Sequence, residues 1–137
     1  MANDIQTQVL EDGNRNTIIK VTIVGDGTGE ETATVIFDAS AYKTASTDNS
    51  LREIKYNLNG FDAVLYWDGT ANVVLMTLDQ DLQEDVDFSK HGKYPALVNN
   101  AGAGRTGDIL ITTNGLGAGD EGYIVLYINQ RSVDNPR

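Results

Sequence analysis

A chain of 137 residues that carries twenty Asp and Glu against ten Lys and Arg has a formal charge of -10 at neutral pH. That balance excludes the basic face that nucleic-acid phosphates require, and the lack of any cysteine excludes disulfides, thiolate metal sites and thiol catalysis. The length fits one domain burying roughly two-thirds of its unfolded surface. With neither a basic leader nor a long apolar run at its start, the chain is expected to stay soluble in the cytoplasm where it is made, without membrane contact.

In chain order, the sequence speaks of strands. The opening "DIQTQVLEDG" reads as a weak strand or, over residues 1–13, an extended arm. "TIIKVTIVGDG" alternates cleanly, with Ile19, Val21 and Ile23 on one face and Lys20 and Thr22 on the other, and stops at the turn Gly25-Asp26-Gly27. "ETATVIFD" places Ala33, Val35 and Phe37 together. "LREIKYNLNG" groups Ile54, Tyr56 and Leu58 and ends in Asn59-Gly60, the strongest short hairpin signal. "FDAVLYWDG", "NVVLMTLD" and "GYIVLYINQ" are apolar at nearly every position, which predicts cover on both faces by a second layer or another subunit. The turn Asp68-Gly69-Thr70 joins the first two as a hairpin. "GDILITTNG" adds a strand with Ile109 and Ile111 inward, and residues 131–137 form a polar tail. The expectation is an all-β, single-domain antiparallel β-sandwich or jelly-roll/barrel-like module of about 8–9 short strands. No helix beyond about two turns is expected; residues 38–46 and 81–89 have room for one turn.

"NNAGAGRTGD" contains Gly102-x-Gly104-x-x-Gly107, the spacing of a dinucleotide-binding loop. Such a loop needs a helix to begin at its end, so that the positive helix terminus faces the pyrophosphate. Gly107 leads instead into the β-branched run "DILITTNG", so the loop reads as a glycine-rich connection suited to a surface contact. No cofactor is expected. "LDQDLQEDVD" crowds Asp79, Asp81, Asp85 and Asp87 beside Glu84. These are weak candidates for Ca²⁺, but the EF-hand glycine and terminal acid are missing, and a solvated acidic loop accounts for them. His91 is the single histidine, in a Lys- and Gly-containing loop that reads as surface. No carboxylate pair is marked by an apolar setting as a glycosidase pair would be. Trp67, Tyr56, Tyr66, Tyr123 and Tyr127 could form a sugar-stacking platform, although each lies in a strand where core or subunit contact is the simpler role. None of this specifies an enzyme. The surface contacts to be expected draw on Ile5, Val9, Tyr66, Trp67, Gly102, Gly104, Arg105, Tyr123 and Tyr127.

The carboxy-terminal half adds a resemblance. "VLYWDGTANVVLMTL", "DFSKHGKYPALVNNAGAGRTGDILITTNG" and "AGDEGYIVLYINQR" resemble small virion proteins of tailed bacteriophages, of the head decoration or cement type. The markers are Trp67-Asp68-Gly69-Thr70, Asp87-Phe88, Thr106-Gly107-Asp108-Ile109, Thr112-Thr113-Asn114-Gly115 and Ala118-Gly119-Asp120, over residues 50–130. The resemblance implies a non-catalytic β-module on the surface of a virion head, attached as a homotrimer that bridges subunits of the major capsid protein. A neck or tail component is the alternative within that class, and a carbohydrate- or calcium-dependent β-sandwich binding module is the alternative outside it.

Overall fold

The computed structural model describes residues 3–12, 16–27, 29–41, 49–79, 83–87, 97–98, 104 and 106–130. Ten strands are β1 (Asp4–Asp12), β2 (Asn16–Val24), β3 (Thr34–Phe37), β4 (Asn49–Asn59), β5 (Asp62–Trp67), β6 (Val73–Leu78), β7 (Gln83–Asp87), β8 (Leu97–Val98), β9 (Ile109–Asn114) and β10 (Glu121–Gln130). They form two antiparallel sheets. One has six strands in the order β1-β2-β10-β4-β7, with β8 also paired to β4; the other has four, β3-β9-β5-β6. The two sheets make a β-sandwich, as the short, evenly spaced apolar runs predict.

Alternation sets which side chains meet between the sheets. Ile19, Val21 and Ile23 of β2, Ile124, Leu126 and Ile128 of β10, and Ile54, Tyr56 and Leu58 of β4 supply the inner face of the larger sheet. Ala63, Leu65 and Trp67 of β5, Ile109 and Ile111 of β9, and Phe37 of β3 supply the other. A register shift opposite Tyr127/Ile128 loops out Arg52, so Leu51 and Ile54 both face inward although three residues apart. The runs that are apolar throughout are explained in part by this packing: their even or odd residues form the core, and the rest form the two outer surfaces.

Several local expectations are corrected. In β3, Ile36 and Phe37 are both buried while Val35 is 48% exposed, because a bulge between Val35 and Phe37 breaks the alternation. Asn59-Gly60 does not close a hairpin. One edge of β4 is already paired to β10 and the other to β7 and β8, so β5 has no edge to join and crosses to the other sheet. Gly60 makes that corner at φ +90, where a Cβ would lie 2.5 Å from Asp120 Oδ1. The acidic residues 83–87 form strand β7 and neither a loop nor a helical turn; the one short 3₁₀ turn among the described residues is Ala39–Ala41. Residues 4–12 are a paired strand and not a loose arm, while the tail 131–137 lies outside the described residues.

Candidate binding face of the six-stranded sheet

The outward residues of β2, β10 and β4 form one continuous surface whose composition follows from the register. Tyr123 lies between Thr22 and Asn57, Val125 between Lys20 and Lys55, and Tyr127 between Ile18 and Glu53. All of these are partly exposed, whereas their neighbours along each strand are buried. The tyrosines are four residues apart on the same face of β10, about 14 Å at the rise of an antiparallel strand. From the central row the two lysines lean in opposite directions. Lys20 Nζ lies 5.5 Å from the Tyr123 ring centroid and Lys55 Nζ 5.6 Å from that of Tyr127. Each ammonium is drawn to the negative face of its ring, a contact worth about 0.5–1 kcal/mol at an exposed site. Lys55 also lies 3.9 Å from Glu53 Oε2.

Beside Tyr123 the surface dips into a groove of about 220 Å³ lined by Lys20, Thr22, Asn57, Asn59, Glu121 and Gly122. Gly122 has no side chain to fill it, and a Cβ there would lie 2.7 Å from the Asn57 carbonyl oxygen. Ammonium, hydroxyl, amide and carboxylate groups thus sit around one aromatic ring, a mixture of donors and acceptors over an apolar floor.

The remaining site candidates fall elsewhere. Trp67 is 1% exposed and belongs to the core, so it is not an interaction residue, and Tyr56 is 5% exposed. The five-residue aromatic platform therefore reduces to Tyr123 and Tyr127, with Tyr66 on the outside of the opposite sheet. Ile5 packs against the core from the edge strand β1, and Val9 is 50% exposed there. Gly104, at φ +74, approaches the β5–β6 turn so closely that a Cβ would strike Thr70. Gly107 leads into β9 and not into a helix, as the glycine-rich connection requires. Gly102, Arg105, His91 and Asp81 lie outside the described residues. Asp79 is exposed, Asp85 and Asp87 sit in β7 opposite Lys55 and Glu53, and the described residues contain no cluster of metal-ligating side chains.

Two carboxylates that the sequence did not mark are set apart at opposite ends of β9. Glu30 accepts hydrogen bonds from Thr113 Oγ1 at 2.8 Å, Gly115 N at 2.8 Å and Leu116 N at 3.1 Å. The Thr113 hydroxyl, with those two amides, holds its carboxyl below the ordinary value. Asp108 accepts from Ala39 N at 2.9 Å, yet burial, followed by the charges of Asp38 and Asp68, pushes its carboxyl up. The expectation that no carboxylate is raised by its setting is corrected at Asp108, whose oxygen is engaged in holding the 3₁₀ turn.

No family model matches the chain, and no curated protein matches it. Similar solved structures include a mutant of the module CBM29-2, described as probing ligand recognition by family 29 carbohydrate binding modules, with TM-score 0.42 and 10% identity over 96% of this chain and 77% of that one. A second is a carbohydrate binding module of family 29, with TM-score 0.42 and 10% identity over 96% and 80%. A third, another CBM29-2 mutant, has TM-score 0.40 and 12% identity over 99% and 87%. These structures are carbohydrate-binding modules and not phage proteins, which overturns the reading as a capsid decoration or cement protein of a virion. The markers that carried the resemblance have a local explanation. Thr106 Oγ1 donates to Asp68 Oδ2 at 2.7 Å, Asp68 N to the Asp108 carbonyl at 3.1 Å, and Gly117 N to Asp120 Oδ2 at 2.9 Å. They are turn-closing contacts that a two-sheet module with these connections uses for itself.

Proposed function

We propose that the protein is a non-catalytic carbohydrate-binding module whose site is the outer face of β2, β10 and β4. The observation that carries this reading is the pair Tyr123 and Tyr127, aligned on one strand, each with a lysine over its ring and neutral hydrogen-bonding side chains alongside. A sugar ring offers an apolar C–H face and a rim of hydroxyls. Tyrosine rings supply a flat apolar surface with a polar tip, while Lys20, Thr22, Asn57 and Asn59 supply the partners for the rim. The reach of about 14 Å along β10 suits a chain of linked sugars better than a single ring. Affinity electrophoresis through gels containing soluble glucans, mannans or xylans tests this. Retardation by at least one polysaccharide, abolished in Tyr123→Ala and Tyr127→Ala, is expected. Unretarded migration in all of them, or retardation that both variants retain, contradicts it.

A further inference from the structure

The opposite outer face has a different composition. Strand register places Val35 of β3 beside Leu110 of β9, Leu110 beside Tyr66 of β5, and Tyr66 beside Val74 of β6. This row crosses the full width of the four-stranded sheet. Val35 and Val74, at its two ends, are 48% and 57% exposed, two of the four large hydrophobic side chains most open to solvent. Leu110, 5% exposed, is not part of the inner cluster and is covered on the outside. The next row is Thr112, Val64 and Thr77. Among the described residues neither row contains an acid or a base, although the chain carries twenty acids. The adjoining edge strand β6, Val-Val-Leu-Met-Thr-Leu, is uncharged as well, and its outer edge is not paired among the described residues.

We propose that this face is a self-association surface, occupied by the same face of a second copy. Charge selects the occupant. Two chains of -10 repel wherever their acids meet, so the approach that costs least is through a surface without carboxylates. The other edges do not offer one: β1 carries Asp4, Glu11 and Asp12, and β7 carries Glu84, Asp85 and Asp87. A charged partner would find no counter-charge in the two rows, whereas an identical apolar face is complementary to them. Such a contact is isologous and closes at two copies, giving a dimer where the resemblance implied a trimer. It leaves the tyrosine face on the far side of each sandwich open. Rising salt screens the repulsion and strengthens the contact.

Sedimentation velocity from about 1 µM to about 1 mM, in low and high salt, tests the proposal. A dimer that tightens with salt is expected. Val74→Lys and Val35→Glu, at opposite ends of the row, each should raise the dissociation constant about tenfold or more, with unchanged circular dichroism showing that the fold is intact. Val9→Lys, on the exposed edge strand of the other sheet, should leave it unchanged. A wild-type chain that stays monomeric throughout overturns the proposal. So does a dimer that weakens with salt, that survives both row substitutions in folded protein, or that is dissociated by Val9→Lys.

Discussion

The two outer faces of the sandwich share a core and differ in almost everything else. Over the six-stranded sheet, the outward positions of β2, β10 and β4 are Lys20, Thr22, Asn57, Lys55, Tyr123, Val125 and Tyr127. Over the four-stranded sheet they are Val35, Leu110, Tyr66, Val74, Val64 and two threonines. Inward residues on both sides are the same kind of packed aliphatic and aromatic side chains. The fold therefore constrains one residue in two along each strand and leaves the alternate positions free to differ. A face with aromatic rings among hydrogen-bonding groups recognises a polar ligand with apolar patches, and a face without charge or amide recognises another apolar surface.

The sharpest way to break this comparison uses two adjacent residues of β5. Trp67 points into the core and Tyr66 outward. Trp67→Ala should cost about 3–5 kcal/mol in urea unfolding, the loss of a large buried side chain plus its cavity. Tyr66→Ala should cost about 1 kcal/mol, since its ring is only partly covered. Equal costs would mean that the assignment of faces is wrong.

The next effect separates binding from stability. Tyr123→Ala and Tyr127→Ala should each weaken polysaccharide binding about tenfold while shifting the unfolding midpoint little, because the rings lie outside the core. Lys20→Met should have a smaller effect, about twofold to fivefold, by removing one ammonium from above Tyr123. A variant of Tyr66 should not alter binding at all. Titration calorimetry on folded variants reads these differences directly.

The smallest effects concern the ends of β9, where two carboxylates respond to pH in opposite directions. For Glu30 the folded-state value lies below the unfolded 4.5, so its contribution is present above pH 4.5 and fades as pH falls through the folded value. For Asp108 the folded-state value lies above the unfolded 3.8; its ionised form costs stability at neutral pH, and the cost is relieved as pH falls through that raised value toward 3.8. Glu30→Gln should flatten the acid limb of a melting-temperature profile. Asp108→Asn should raise the midpoint at pH 7 by about 1–3 °C and lose that advantage in acid. The same sign of change in both variants at pH 7 would contradict these assignments.

Alternation alone makes the inner faces of β2, β4, β5 and β9 legible, because burial from one side leaves a period of two in the sequence. It fails where the ladder slips: alternation points Val35 inward because nothing in "TVIF" announces the bulge that buries Ile36 with Phe37. Asn59-Gly60 is a sound turn signal, but a turn signal does not say whether β4 has a free edge, and that depends on β7, β8 and β10 far along the chain. The binding face is half legible. The alternation pairs Lys20 with Thr22, and Tyr123 and Tyr127 stand out as aromatics. Only the β2–β10–β4 register, however, puts the two lysines over the two rings. Trp67 shows the converse: the most conspicuous residue for sugar stacking fills the core.

Backbone amide chemical-shift mapping with soluble β-linked hexasaccharides tests the central claim most directly, because it reports on both faces at once. Perturbations concentrated at Lys20, Thr22, Lys55, Asn57, Tyr123 and Tyr127, with Val35, Tyr66, Leu110 and Val74 unmoved, are the predicted result. Perturbations centred on the Val35–Val74 row, or none with any hexasaccharide at millimolar concentration, would contradict it.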